Sequence, residues 1–441
     1  MHTAAHAIYL FSLLSFVDDH WPDFRGPGAD GRAVAVRLPI EWSETKNVRW
    51  KTEIDGRGWS TPVIWGDQIW LTTATADGKQ LFAICVDRGT GRVVHSVRVF
   101  DVEKPESINP LNSYASPSPV IESGRVFVHF GTYGTACLDT TTAKVVWARR
   151  DLKIDHKEGP GASPLLLDDL VIVPCDGMDL QYVVALDKRT GETRWKTDRS
   201  ADLSAMNPDF RKAYATPVLI EIGGVRQVFN NVAHSGYAYD PRTGRELWRV
   251  PYQGFSNVSR PVVGRGLVFL NTGYTKPELW AVRPPTTTAA SATPATALAE
   301  PATKSTGSNA ASANSPQVVW KYSRGVPAKP SVVLVDDLLH FVSDSGGIVT
   351  CLEATTGREV WTHRLGGNFS ASPICVAGRI YFCDDAGRTT VIAADRSYRA
   401  LATNQLDDGF MASPAVAGDS LFLRTKRHLY RIEDGAASPK N

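Results

Sequence analysis

One short pattern recurs eight times along the chain and decides what it can fold into. A serine or threonine, a proline and then apolar residues occur at Thr61-Pro62-Val63, Ser118-Pro119-Val120, Ser163-Pro164-Leu165, Thr216-Pro217-Val218, Ser372-Pro373-Ile374 and Ser413-Pro414-Ala415. Arg260-Pro261-Val262 and Lys329-Pro330-Ser331-Val332 are looser copies. Successive prolines lie 57, 45, 53, 44, 69, 43 and 41 residues apart. Repeats of this period belong to propeller blades or solenoid units, not to a conventional globular core.

Each unit continues with β-type runs broken by Gly-containing turns, as in Val120-Ile121, Glu122-Ser123-Gly124 and then Arg125 to Phe130. A second signature follows, Asp-x-x-Thr-Gly-x-x-x-Trp, from Asp187 to Trp195 and from Asp240 to Trp248. Glu353 to Trp361 is an acidic variant, and Asp139 to Trp147 keeps the spacing without the glycine. Glycine supplies the positive φ of a hairpin loop, and aspartate bonds the turn backbone. The unit therefore reads as four antiparallel strands, A to D. Proline sits at the start of A, where no ladder donor is needed, and tryptophan on D seals the seam between sheets by burying roughly 150–250 Å².

This predicts an all-β, eight-bladed β-propeller of four-stranded antiparallel blades. Residues 47–51 look like a strand D that precedes the first strand A, while the last unit lacks its own D. The N-terminal strand should complete the last blade and close the ring. An open solenoid would want polar caps instead. The expected division is a signal peptide at 1–17, an N-terminal arm at 18–46, the propeller at 47–435 and a disordered tail at 436–441. Residues 284–316, almost entirely Thr, Ala, Ser and Pro, read as a disordered insertion between strands C and D of the fifth blade.

Forty-eight basic and 46 acidic side chains leave little net charge, with no basic stripe for nucleic acid. No apolar run reaches membrane-spanning length. The apolar core at residues 7–17 suits a signal peptide, although no Lys or Arg precedes it and no small-x-small cleavage site follows. A periplasmic or secreted monomer is expected. Cys85, Cys137 and Cys351 occupy a strand C slot that holds Ala185 in another unit. Cys375 and Cys383 fall out of register, since Cys375 should pair with Ile380. All six cysteines are thus expected to be small buried hydrophobes.

Dinucleotide, phosphate-loop, zinc-protease and nucleophile-elbow motifs are absent. No catalytic or metal-binding residue is assigned. The D-to-A and B-to-C loops of a propeller surround one mouth of its channel, and here they are rich in aromatic, amide and charged residues. The candidate binding set is Asn112, Tyr114, His156, Glu158, Asn207, Arg211, Tyr214, Arg260, Lys329 and Asn368. For His156 and Glu158 a plain solvated loop is the simpler reading.

The paired signatures resemble those of the pyrroloquinoline-quinone (PQQ)-like repeat family of eight-bladed propellers. That family includes the quinoprotein alcohol dehydrogenases and the propeller lipoprotein of the outer-membrane β-barrel assembly machinery. The likeness covers roughly residues 47–435. Trp21-Pro22-Asp23-Phe24-Arg25-Gly26-Pro27 is similar to the opening of a secreted branch of these proteins. The dehydrogenase branch would imply PQQ with calcium, but it closes over its cofactor with adjacent cysteines, and this chain has no Cys-Cys pair and no C-x-x-C-H haem site. No cofactor is assigned. Fold alone does not carry function. The expectation is a non-catalytic exported scaffold that binds a protein, peptide or glycan of the cell envelope through its loop-rich face. The alternative is a quinone-binding oxidoreductase or another enzyme working in the central funnel.

Overall fold

The computed structural model describes residues 19–34, 37–285 and 315–436. The 7–17 run, most of the 284–316 insertion and the tail beyond 436 lie outside the described residues. Eight antiparallel sheets of four strands follow one another, as the repeat predicts. In the first blade, strand A is Val63–Trp65, B is Gln68–Ala74, C is Gln80–Asp87 and D is Val93–Asp101. The inner strands of the next six blades are Val120–Glu122, Leu165–Leu167, Val218–Ile222, Val262–Gly264, Val333–Val335 and Ile374–Val376. The eighth blade has Ala415–Ala417, Ser420–Arg424 and His428–Ile432 as strands A to C. Its strand D is Val48–Glu53, antiparallel to His428–Ile432 with Trp50 opposite Arg431, so the ring closes through the N-terminal strand.

The second signature works between blades. Asp187 Oδ1 accepts from the backbone N–H of Arg189 and Thr190, which shapes the turn. Gly191 then lies at φ 76° under the indole of Trp147 from the preceding blade, where a Cβ would come within 2.7 Å of the ring. Gly91 meets Trp50, Gly244 meets Trp195 and Gly357 meets Trp320 in the same way. Trp147 Nε1 donates to the Lys188 carbonyl of that neighbouring turn at 3.0 Å. Glycine is thus required twice, for its left-handed φ and for the space the indole fills. Where the glycine is missing, Ala143 takes φ 56°, and the aligned position of the preceding blade is His95 instead of tryptophan. By the register of the repeat, the smaller ring belongs opposite the larger turn residue.

The hydroxyl of the proline motif also has a purpose the spacing alone did not reveal. Thr61 N–H donates to Ser118 Oγ, Ser118 N–H to Ser163 Oγ and Ser163 N–H to Thr216 Oγ1, at 2.9, 2.9 and 3.0 Å. Arg260, Ser331 and Ser372 N–H donate likewise to Ser331, Ser372 and Ser413 Oγ. These bonds join inner strands edge to edge around the axis. For five of these six acceptors, all but Ser331, proline next in sequence holds the backbone extended, so the hydroxyl reaches the preceding blade.

All six cysteines are free and buried, and Cys375 pairs with Ile380. Burial pushes their thiols up to about 12, so they remain protonated packing groups. The only helical turns among the described residues are Gly131–Tyr133 and Pro208–Phe210, both 3₁₀. No described helix is long and apolar enough to cross a membrane.

Candidate functional site

The N-terminal arm crosses the central channel. Trp21 exchanges backbone bonds with Ile64 of the first inner strand, at 2.9 and 2.8 Å. Ile121 N–H of the second blade donates to Pro22 O. The Asp23 carboxylate takes both oxygens to Arg260 Nη1 of the fifth blade at 3.1 Å. Arg25, fully buried, donates to Val332 O of the sixth blade and Pro373 O of the seventh, at 3.1 and 2.6 Å. Residues Arg32–Ala33 finally add a parallel strand to Ile374–Val376. Two glycines make the crossing possible. A Cβ on Gly26 would strike the Trp21 ring at 2.7 Å, and one on Gly31 would strike Arg25 Nη2 at 2.2 Å. Residues 21–33 are therefore a plug wired to the inner strands.

Above the plug the funnel becomes a blind cup of about 310 Å³. Phe24 of the plug lines it, and each of the eight D-to-A connections contributes to its wall. Ser118, Ser163, Thr216, Ser372 and Ser413 line it, together with the aromatic Trp59, Tyr214 and Tyr274. This volume, with apolar walls and a few fixed polar groups, suits a small ligand or one or two side chains of a larger partner. At the mouth, Leu111 is 67% and Tyr274 59% exposed, and Leu180, Met206 and Phe210 add further exposed apolar side chains on D-to-A and B-to-C loops.

Four of the ten sequence candidates line the cup: Asn112, Glu158, Tyr214 and Lys329. They are tied into the wall. Asn112 Nδ2 donates to Glu158 O at 2.7 Å, Asn109 Nδ2 donates to Glu158 Oε2 at 2.9 Å, and Tyr214 OH donates to His156 O at 2.6 Å. Burial pushes the Tyr214 phenol well up. Lys329 Nζ lies 3.7 Å from Asp344, whose carboxyl is itself raised by burial.

His156 stands behind this wall and not in a solvated loop. It is 3% exposed, and its Nε2 accepts the Thr132 N–H at 2.8 Å, holding the 3₁₀ turn of the second blade. Burial lowers its imidazole to about 4. Arg260 is buried beside the plug. Tyr114 turns outward, donates to Glu106 O and packs on Tyr133. Asn207 caps the Pro208–Phe210 turn, and Arg211 folds back on the Met206 and Ser204 carbonyls. Asn368 bonds Asp385 on the rim. Missed from the sequence were Phe24, Trp59, Leu111 and Tyr274. The Trp21-to-Pro27 stretch was noticed, but nothing in its spacing says that it enters the channel.

Comparison with known proteins is consistent with the fold. A family model described as outer membrane protein assembly factor BamB matches residues 77–290 and 308–407. None of the curated proteins matches the chain in sequence. Among solved structures, BamB from Moraxella catarrhalis is 12% identical with a TM-score of 0.58, covering 87% of this chain and 99% of its own. The quinohemoprotein alcohol dehydrogenase from Comamonas testosteroni is 13% identical with a TM-score of 0.63, covering 96% of this chain and 82% of its own. The computationally designed Ika8 protein is 10% identical with a TM-score of 0.56, covering 88% and 100%. At these identities the likeness is one of fold.

Proposed function

The chain belongs to the PQQ-like β-propeller repeat family, and on that premise we propose that it is an exported, non-catalytic scaffold, periplasmic or secreted. It binds a protein or peptide of the cell envelope through the cup and its apolar rim. One observation carries the reading: the plug turns the channel into a blind cup whose mouth displays Leu111 and Tyr274 to solvent. Exposed apolar side chains gathered at a concavity mark interaction sites, and aromatic anchors in pockets dominate binding energy. The family model's description and the BamB likeness agree with a protein partner.

The donor set of the cup fits a calcium-bound quinone poorly. Calcium takes six to eight oxygen ligands, several from carboxylates. The wall offers one carboxylate, Glu158, already bonded to Asn109. Its lysine, Lys329, is already beside Asp344. No group of three or more potential metal ligands converges among the described residues.

Photo-crosslinking side chains at Leu111 and Tyr274, set against Asp67 and Asp169 on exposed A-to-B turns, test the reading. Adducts from envelope protein are expected at the first pair. Adducts confined to Asp67 and Asp169 would overturn the face assignment. Quinone-dependent dye reduction after loading with PQQ and calcium would overturn the non-catalytic reading.

A further inference from the structure

The hydroxyl residues of the cup have their oxygens engaged and their hydrogens unused. Ser118, Ser163, Thr216, Ser372 and Ser413 each accept one backbone N–H from the neighbouring blade, at 2.9 to 3.0 Å. None of these five hydroxyls donates to an acceptor among the described residues. Each residue is at most 3% exposed, and the space it borders is the cup. Ser256 and Ser370, half-buried in the same wall, make no side-chain hydrogen bond among the described residues. A hydroxyl carries one donor and two acceptor lone pairs. With one lone pair taken, each of the five still has a donor and an acceptor to offer.

The charges of the wall are already answered. Its carboxylate, Glu158, accepts from Asn109 at 2.9 Å, and its ammonium, Lys329, lies 3.7 Å from Asp344. Phe24 of the plug, Trp59 and Tyr274 give the same wall aromatic surface. The indole N–H of Trp59 is given to Leu111 O at 3.0 Å, so this side chain brings apolar ring surface and no spare donor.

These features select a chemistry. An ion finds no spare counter-charge in the wall. A purely apolar guest would expel water and leave the hydroxyl donors without acceptors, which is costly. A peptide side chain brings one or two polar atoms to seven hydroxyls. A sugar ring brings a hydroxyl on most of its carbons, each both donor and acceptor, and C–H faces that pack on aromatic rings. The cup's volume of about 310 Å³ lies at the small end of ligand pockets, which run roughly 300–1,000 Å³. We propose that the cup seats one neutral sugar ring, with the wall hydroxyls as its hydrogen-bond partners and Trp59 as its apolar surface. The plug blocks the far end, so a chain of sugars enters by its end ring. This rests on the reading of the cup as the binding site and gives what enters it a chemical class.

Saturation-transfer NMR of the full chain with glucose, galactose, mannose and N-acetylglucosamine tests the seat. Saturable transfer to at least one of them is expected. Trp59→Ala, and Ser256→Ala combined with Ser370→Ala, should each weaken that binding about fivefold or more. Lys144→Gln, exposed on an outer turn, should leave it unchanged. The two serines hold no internal bond, so their variant keeps the test open should Trp59→Ala fail to fold. The bound sugar joined to a second ring separates the sources. A disaccharide that binds as well or better assigns the cup to the end ring of a glycan, and one that is rejected assigns it to a free sugar. Absence of saturable transfer from all four sugars, or binding that survives both variants, overturns the proposal and leaves the hydroxyls to water. Sugar binding with no envelope adducts at Leu111 and Tyr274 would sink the scaffold reading alone. Adducts there without sugar binding would sink the sugar seat alone and give the cup to a side chain of the partner.

Discussion

Lowering the pH from 7 to 5 should destabilise the protein through histidines that the fold keeps neutral. His156 is the case to isolate. Its ring is buried, Nε2 accepts from Thr132 N–H, and burial sets its imidazole at about 4 in the folded chain against about 6.5 unfolded. The folded pKa is depressed, so between those values the unfolded chain binds the extra proton and stability rises with pH. The contribution is complete above pH 6.5 and is lost as pH falls toward 4. The shift amounts to about 0.8 kcal/mol at pH 6 and about 2 kcal/mol at pH 5 for this residue alone. His129, lowered to about 3, and His340, to about 4, act in the same direction. Buried carboxyls such as Asp176 and Asp344, whose values are raised, act oppositely, so the wild-type profile alone is not diagnostic. The measurement is urea unfolding at pH 7, 6 and 5 on the wild type and on His156→Gln, whose amide oxygen can still accept from Thr132. The gap between the two should close, or change sign, by about 2 kcal/mol on going to pH 5. Parallel pH profiles would refute the assignment of a neutral, buried acceptor.

Removing residues 1–53 deletes the outer strand of the eighth blade and bares the His428–Ile432 edge; light scattering should report more aggregation than the full chain shows. Ser372→Ala deprives the buried Ser331 N–H of its acceptor and should lower unfolding free energy by about 1–3 kcal/mol, whereas Thr61→Val, whose oxygen accepts nothing, should cost less. His95→Trp should be destabilising beside Ala143 and tolerated beside Ala143→Gly, with a coupling of about 1 kcal/mol or more in a double-mutant cycle.

The fold was legible because its two signatures are local physics repeated at a fixed period. Turn chemistry at Asp187 and Gly191, together with the missing last strand D, is readable from one sequence and needs no knowledge of distant contacts. Two things resisted the same treatment. The hydroxyls of Ser118, Ser163, Thr216, Ser372 and Ser413, each before a proline, bond residues 41 to 57 positions away, so spacing shows that the hydroxyl recurs but not what it does. The correspondence of His95 with Ala143 likewise has a physical reading only once blades are neighbours.

The candidate site was only half legible, and the reason lies in the plug. Loop composition pointed to the face on which the cup opens, because aromatic and amide residues in D-to-A connections stand out against strand patterns. Composition does not say which way a side chain turns. His156 and Tyr214 look alike as loop residues, yet one holds a backbone turn behind the wall and the other lines the cup. Arg260 looked like a rim cation but is buried against Asp23, a partner 237 residues away. That partner belongs to a segment with no strand period, fixed in place by Trp21, Arg25 and two glycines that admit no Cβ. Without the segment the channel would run on past Phe24, and the cup would have no floor. The same residues that close the channel therefore define the site, and a reading that named the segment only as an N-terminal arm could find the mouth of the cup but not its depth.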